Sequence, residues 1–147
     1  MLLKNEGDTE KLAKRLVKLS KKDNAVICLN GDLGSGKTTF TRYFIRNFFK
    51  SLEIKEIPSP TFTLLQVYEH EGHTINHYDF YRLKNSSELF ELNFSEAVTD
   101  DVCLIEWSDK FEEILPNDRI EINFQIKSKV SRSAQITLRG KFKNQKY

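Results

Sequence analysis

The sequence predicts a single α/β domain in which a mixed parallel and antiparallel sheet is flanked by helices. Two short, continuous apolar runs at residues 25–29 and 102–105 are typical of parallel strands that are buried on both faces. Residues 9–20 and 38–50 carry apolar side chains at helical spacing. Residues 120–126 alternate apolar and polar side chains, as a half-exposed antiparallel strand does.

The composition supports one globular unit that spans residues 1–147. Hydrophobic residues make up 39% of the chain and charged residues 30%, which is typical of a soluble protein. No apolar run approaches the roughly 18 residues that a membrane span needs, and the first residues lack the apolar segment of a secretory signal. Cys28 and Cys103 lie in the two apolar runs, which predicts reduced core thiols. We therefore expect a cytoplasmic protein with no membrane association.

The two long helices differ in how much of their surface is apolar. The first, residues 9–20, has leucines on one face and basic side chains elsewhere, with Asp8 or Thr9 placed to cap its N-terminus. The second, residues 38–50, follows a glycine-rich turn and is expected to be largely buried. Its apolar ridge consists of three phenylalanines spaced four residues apart: Phe40, Phe44 and Phe48.

The middle of the chain predicts a hairpin after a proline-marked loop. Pro58 and Pro60 interrupt regular structure, because proline lacks the backbone N–H group that helices and sheets use. Residues 61–68 and 74–78 then form two strands around a turn at residues 69–72.

Two short helices are predicted around the second buried strand. The first begins at Ser86 or Ser87 and ends near Leu92, where Asn93 can adopt the left-handed conformation that closes a helix. The second covers residues 109–115 and is stopped by the proline that follows.

The C-terminal part of the chain is basic. After Glu121 there are seven lysines and arginines and no acidic residue, whereas residues 1–121 carry a net charge of −5. Ile136 and Leu138 continue the alternating pattern, so this part is interpreted as a solvated antiparallel strand followed by a tail, residues 141–147, that need not be ordered. Contact with nucleic acid is the alternative.

A complete phosphate-binding loop joins the first buried strand to the second helix. Residues 31–38, Gly-Asp-Leu-Gly-Ser-Gly-Lys-Thr, fit the pattern G-x-x-x-x-G-K-[ST], whose glycines let successive N–H groups surround phosphate oxygens. Lys37 is expected to reach the β- and γ-phosphates, Thr38 to offer its hydroxyl to Mg²⁺, and Thr39 to contact the α-phosphate. The predicted nucleotide-binding residues of the loop are Asp32, Leu33, Gly34, Ser35, Gly36, Lys37, Thr38 and Thr39.

Such a loop needs a further carboxylate for Mg²⁺, normally at the end of a buried strand. Glu106 directly follows the apolar run 102–105, and Asp79 directly follows the second strand of the hairpin. Both are therefore candidates for the metal and for catalysis.

The sequence favours ATP hydrolysis over two other activities. The guanine-reading motif Asn-Lys-x-Asp of Ras-type GTPases is absent. A small P-loop kinase remains an alternative, although only about 110 residues follow the loop to supply a lid and an acceptor pocket. A nucleotide-gated RNA-binding module is the non-enzymatic alternative.

Three histidines in the hairpin raise the question of a separate metal site. His73 and His77 would share a strand face, with His70 at the turn. No nearby cysteine or carboxylate completes a ligand shell in the sequence, so a metal site here is not favoured.

Four motifs in order make the chain similar to a known family. After the P-loop come Ser59-Pro-Thr-Phe-Thr63, then Tyr78-Asp-Phe-Tyr-Arg-Leu83, then Ile105-Glu-Trp107 followed by Leu115-Pro116. In these blocks the chain resembles the TsaE family, the bacterial P-loop ATPases of tRNA threonylcarbamoyladenosine biosynthesis. The resemblance covers essentially residues 9–116.

The resemblance implies roles for four residues outside the P-loop. Thr61 corresponds to a switch-like threonine near the γ-phosphate, Asp79 to a Walker-B-like aspartate and Glu106 to a glutamate linked to Mg²⁺. Trp107 corresponds to a tryptophan beside the nucleotide. We expect Lys37, Asp79, Thr61 and Glu106 to be the catalytic residues, with either Asp79 or Thr61 orienting the attacking water.

The resemblance also implies cofactors and partners. The cofactors are ATP and Mg²⁺, and the partners are the proteins TsaB and TsaD. In this reading ATP hydrolysis resets the TsaB–TsaD complex between turnovers, and tRNA is met indirectly or through the basic C-terminal segment.

Overall fold

The computed structural model describes residues 1–147 and is built around one seven-stranded mixed sheet. The strand order is β1-β7-β6-β2-β5-β4-β3. The inner strands β4, β5, β2 and β6 are parallel, and antiparallel pairs β3–β4, β6–β7 and β1–β7 complete the two edges. The single α/β domain with a mixed sheet is confirmed. The strands are β1 (Leu2–Leu3), β2 (Val26–Asn30), β3 (Leu65–His70), β4 (His73–Asp79), β5 (Val102–Glu106), β6 (Ile120–Ile126) and β7 (Arg132–Leu138).

Helices cover both faces of the sheet. The larger core lies between the sheet and the two long helices, and a smaller core lies under the short helices on the opposite face. No helix combines the length and the apolar character that crossing a membrane requires. The helices are α1 (Glu6–Lys22), α2 (Lys37–Phe48), α3 (Ser87–Phe90), α4 (Phe94–Asp100) and two 3₁₀-helices, Ser108–Ile114 and Gly140–Phe142.

The first helix begins earlier than its apolar pattern predicts. Asn5, rather than Asp8 or Thr9, is the N-cap, and its side-chain oxygen accepts a hydrogen bond from the Asp8 N–H at 3.1 Å. Polar residues of the first turn contribute no apolar periodicity, so the pattern could not indicate them. In α2, by contrast, the predicted phenylalanine ridge is confirmed, because all three rings are buried and neighbouring rings lie about 6 Å apart.

The hairpin is shorter and tighter than predicted. Residues 61–64 form a turn instead of a strand, because the Leu64 N–H donates to the Pro60 carbonyl and Leu64 has a φ of 65°. The reversal between β3 and β4 uses only Glu71 and Gly72, which both have positive φ, as the favoured two-residue hairpin turns require.

The two predicted buried strands are β2 and β5, which are adjacent and parallel. Cys28 and Cys103 lie in them as buried free thiols, and burial raises the pKa of the Cys28 thiol to about 12. The expectation for residues 120–126 was wrong in part. β6 is antiparallel to β7 but parallel to β2 on its other side, and its first three residues are buried.

The predicted short helix at residues 86–92 is α3, which is one turn long, and a further short helix that the sequence did not predict, α4, follows it. Asn93 does adopt the left-handed conformation, with a φ of 54°, but the chain then continues into α4. The segment predicted as a helix at residues 109–115 is the first 3₁₀-helix, which ends before Pro116.

The basic C-terminal segment is anchored to the larger core. Gly140, with a φ of 58°, turns the chain after β7, and the side chain of Phe142 is completely buried. The Lys141 N–H donates to Asp118 and the Lys141 ammonium pairs with Asp23 at 2.6 Å. Residues 140–142 are therefore an ordered 3₁₀-turn, and not the free tail that their charge suggested.

We expect Phe142→Ala to lower the free energy of unfolding by about 3 kcal/mol, because it leaves a cavity where a buried ring was. Lys143→Ala, at an exposed neighbouring position, is the control and should change little. Chemical denaturation of both variants makes the comparison. Equal stabilities would show that the Phe142 ring does not anchor the segment.

Candidate nucleotide-binding site

The P-loop connects the carboxyl end of β2 to the N-terminus of α2. Gly31 has a φ of 139°, and a Cβ atom there would lie 2.6 Å from the Phe124 carbonyl oxygen. Gly34 and Gly36 also have positive φ, of 78° and 112°. Only glycine adopts these conformations readily, so the motif's glycines are what allows the chain to turn back over the end of the strand.

The loop presents backbone donors at the start of a helix. The N–H groups of Lys37, Thr38 and Thr39 form no backbone hydrogen bond, as expected for the first turn of α2. These donors and the positive end of the helix dipole favour an anion at this position.

The Lys37 side chain folds back over the loop. Its ammonium donates to the carbonyl oxygens of Gly31, at 2.5 Å, and Asp32, at 3.0 Å, and lies 3.9 Å from the centre of the Trp107 ring. Burial lowers the pKa of Lys37, and the nearby carboxylates of Glu106 and Asp79 oppose that shift. The loop thus holds one positive charge that only carbonyls and an aromatic ring contact directly.

The side chains of Thr38 and Glu106 contact each other at the carboxyl ends of the parallel strands. The Thr38 hydroxyl donates to Glu106 Oε1 at 2.6 Å, and Glu106 Oε2 lies 2.5 Å from His77 Nε2. Glu106 is the last residue of β5, and its carboxylate is almost completely buried. Both of its oxygens are therefore held by side chains from other elements.

Asp79 lies beside Glu106, because the two residues pair in register at the carboxyl ends of β4 and β5. Asp79 Oδ2 accepts from the Thr61 hydroxyl at 3.0 Å, and Asp79 Oδ1 accepts from the Tyr81 N–H at 2.9 Å. The Ser59 hydroxyl lies 2.9 Å from that of Thr61. The turn at residues 59–63 is thus tied to the end of β4 through one carboxylate.

These groups surround one cleft of about 210 Å³. Every predicted site residue lines it except Asp32 and Ser35. The Asp32 carbonyl instead accepts from Lys37, and Ser35 is buried beneath the loop. Ser59 and Tyr81, which lie in the quoted motifs but were not predicted as site residues, also line it. The lining residues are Leu33, Gly34, Gly36, Lys37, Thr38, Thr39, Ser59, Thr61, Asp79, Tyr81, Glu106 and Trp107.

A known family matches most of the chain. The family model described as "Threonylcarbamoyl adenosine biosynthesis protein TsaE" matches residues 3–134. The chain belongs to the TsaE family. This family consists of P-loop NTPase-like proteins of tRNA threonylcarbamoyladenosine biosynthesis. Membership of the family supports nucleotide binding by the chain.

Several TsaE proteins are similar over most of their length. The protein from Rickettsia felis is 45% identical over 92% of this chain and 78% of its own. The protein from Haemophilus influenzae is 41% identical over 78% of this chain and 71% of its own. A crystal structure of Bacillus subtilis YdiB superposes with a TM-score of 0.69, at 30% identity, over 95% of this chain and 84% of that one.

The three hairpin histidines have separate surroundings in this TsaE chain. His70 lies near Ser51 and Glu71, and His73 packs edge-on against Phe48. His77 is completely buried and contacts Glu106, a carboxylate that lies 29 residues further along the chain. The sequence did not predict this contact. The position of His77, two residues before Asp79 in the same strand, was nevertheless a sign that its side chain lies near the site.

A second polar residue that the sequence did not indicate organises the loop after β5. Asn30, at the end of β2, accepts hydrogen bonds from the Ser108 hydroxyl at 2.6 Å and from the Asp109 N–H at 3.0 Å. Trp107, the residue before Ser108, has a φ of 59°, and its backbone N–H donates to the Leu29 carbonyl. These contacts fix the Trp107 ring beside Lys37.

Proposed function

We propose that this chain is a Mg²⁺-dependent ATPase subunit of tRNA threonylcarbamoyladenosine modification, and that hydrolysis resets a TsaB–TsaD complex between turnovers. One observation carries the ATPase part. The P-loop lysine and threonine share a cleft with two carboxylates from the ends of adjacent parallel strands. The family match supports the pathway. The partners are proposed from the resemblance of the sequence motifs to those of the TsaE family.

The donors at Thr38 and Glu106 fit Mg²⁺. Magnesium prefers a few hard oxygen ligands and keeps several waters, and here a hydroxyl and a carboxylate oxygen lie 2.6 Å apart in an otherwise buried corner. In this proposal Thr38 and Glu106 hold the ion, directly or through water, and Asp79 is the neighbouring carboxylate. When bound, Mg²⁺ would supply positive charge against the phosphates.

Lys37 and the α2 N-terminus would stabilise the transferred phosphoryl group. The ammonium has two carbonyl partners that it can exchange for phosphate oxygens, and the N–H groups of Thr38 and Thr39 are free to donate. Positioned donors of this kind act on charge as it develops in the transition state.

Asp79 is the better candidate for orienting the attacking water. The single hydroxyl proton of Thr61 is donated to Asp79, so the Ser59 hydroxyl must donate to Thr61. Thr61 then has no proton left for a further bond. Asp79 retains free lone pairs on both oxygens and can accept a hydrogen bond from water.

A second cleft extends the site towards the nucleoside. It has a volume of about 350 Å³ and shares Gly34, Gly36 and Thr39 with the phosphate cleft. Arg132 on β7 lines it and donates to the Gly34 carbonyl at 3.1 Å. We propose that the ribose and adenine lie here, beyond the α-phosphate that Thr39 contacts.

The rim of the phosphate cleft supports dependence on partners. Leu33, which lines the cleft, is 79% exposed, and Phe62, which follows the lining residue Thr61 in the chain, is 78% exposed. Tyr81, also in the lining, is half exposed. Apolar side chains grouped around a polar cleft are typical of interaction surfaces. An open site holds its catalytic groups loosely and admits water, so hydrolysis by the isolated chain should be slow and should accelerate when TsaB and TsaD cover it.

A reconstituted tRNA modification assay tests the whole proposal. With TsaB, TsaD and ATP, we expect repeated turnovers only when the wild-type chain is present. The Lys37→Ala variant should not support repeated turnovers. The Lys22→Ala variant, which removes an exposed lysine from the last turn of α1, should support them. Equal multi-turnover yield without this chain would contradict the proposal.

The same reagents separate the alternatives. A phosphorylated small-molecule acceptor in place of free phosphate would identify a P-loop kinase. Salt-dependent tRNA affinity of the isolated chain would identify an RNA-binding module and would implicate the exposed lysines of the basic segment, Lys127, Lys129, Lys143 and Lys146.

A further inference from the structure

His77 is a buried histidine that the proposed chemistry does not use. His77 lies on β4, two residues before Asp79 and on the same side of the strand. None of its surface is exposed. Its Nε2 lies 2.5 Å from Glu106 Oε2, and its Nδ1 has no hydrogen-bond partner.

The geometry determines which ring nitrogen donates. An ionised carboxylate only accepts hydrogen bonds, so Nε2 carries the proton of this contact. The unpartnered Nδ1 is a polar atom buried without a hydrogen bond, which costs stability, whereas a leucine of similar size would carry no such cost. The one polar contact of the ring is directed at Glu106.

We propose that His77 is a positioning residue that fixes the Glu106 carboxylate for the divalent cation. Thr38 holds Oε1 and His77 holds Oε2, so the carboxylate is clamped between α2 and β4. When Thr38 turns its oxygen to a cation, the His77 hydrogen bond is the one that keeps Glu106 in place. Partners that orient a metal-binding carboxylate in this way typically change metal affinity about 10–100-fold.

This inference rests on the proposed nucleotide and Mg²⁺ site but not on hydrolysis, so it is tested by binding. A fluorescent N-methylanthraniloyl-ADP is bound to the full chain in EDTA and then across a Mg²⁺ titration, and Mn²⁺ binding is followed by electron paramagnetic resonance. His77→Leu should shift the cation midpoint at least about 10-fold and leave nucleotide affinity in EDTA unchanged.

Two further variants separate positioning from packing. His77→Gln keeps an N–H donor at the reach of Nε2 and should restore most of the cation affinity. His73→Leu is the matched control on the same strand face and should behave as wild type, because His73 contacts Phe48 and not the carboxylate. If the leucine variant does not fold, His77→Asn replaces it, because its shorter amide cannot reach Glu106.

Three results with the single variants would each overturn the inference. The Mg²⁺ midpoint of His77→Leu could equal the wild-type midpoint, or His77→Gln could fail to restore the cation affinity. The nucleotide affinity of His77→Leu in EDTA could also fall by the same factor as its cation affinity. Combining His77→Leu with Glu106→Gln should add no further shift, because the hydrogen bond acts only through that carboxylate. An additive shift would also overturn it. A wild-type chain that binds no nucleotide would instead contradict the proposed function.

Discussion

Replacing Lys37 with alanine should lower kcat for ATP hydrolysis by about 10³-fold, because the chain then loses its charged donor to the transferred phosphoryl group. The fold should persist. The Lys37 side chain is only 4% exposed, but it is covered by the loop and by Trp107 and lies outside both apolar cores. Steady-state hydrolysis and thermal unfolding of the same preparation measure the two effects.

Lys22→Ala is the matched control for this experiment, since it removes an exposed lysine from the end of α1. It should hydrolyse ATP at the wild-type rate. A folded Lys37→Ala variant with unchanged activity would reject the P-loop as the catalytic centre.

Asp79→Asn should lower kcat by about 10²–10⁴-fold and leave binding of Mg²⁺ and nucleotide close to wild type. The fold should tolerate the amide. Thr61 can accept from the asparagine N–H and donate to Ser59, while the Tyr81 N–H keeps the amide oxygen as its acceptor. Rapid-quench hydrolysis alongside nucleotide binding separates the chemical step from affinity.

The contrasting variant is Glu106→Gln. It should shift the Mg²⁺ dependence of nucleotide binding, because Glu106 is the carboxylate next to the Thr38 hydroxyl. If Asp79→Asn shifts the Mg²⁺ dependence and Glu106→Gln slows only hydrolysis, the two roles are exchanged. If neither variant changes anything, both roles are rejected.

The parts of the fold that could be predicted from the sequence are those that local pattern determines. All five residues of β2 and of β5 are buried, and burial on both faces favours apolar side chains at successive positions, so the first four residues of each strand form a continuous apolar run. The turn at residues 61–64 could not be found in this way. Its threonines and Phe62 favour a strand, but tertiary contacts of Thr61 and Leu64 override that preference.

The C-terminal end shows the same difference between local and distant determinants. Its charge suggested a tail, yet one aromatic ring, Phe142, inserts into a core whose other residues are spread along the chain from Leu3 to Ala134. A single buried side chain surrounded by lysines leaves no periodic signal.

In the candidate site, too, the features set by local sequence could be predicted and those set by distant residues could not. The P-loop is contiguous, so its sequence specifies its shape, and the two carboxylates are indicated by their places at strand ends. The partners of those carboxylates are distant in sequence. Thr38 and His77 meet Glu106 across 68 and 29 residues, and only the assembled sheet brings them together.

The stacking of the Lys37 ammonium on Trp107 gives the chain a built-in optical probe. Trp107 is the only tryptophan in the sequence, so all indole emission comes from one ring, and the ammonium of the phosphate-binding lysine lies 3.9 Å from its centre. Indole emission responds to a charge that approaches or leaves the ring. Withdrawal of Lys37 towards a phosphate would therefore be visible in intrinsic fluorescence, and nucleotide exchange could be timed in the unlabelled protein.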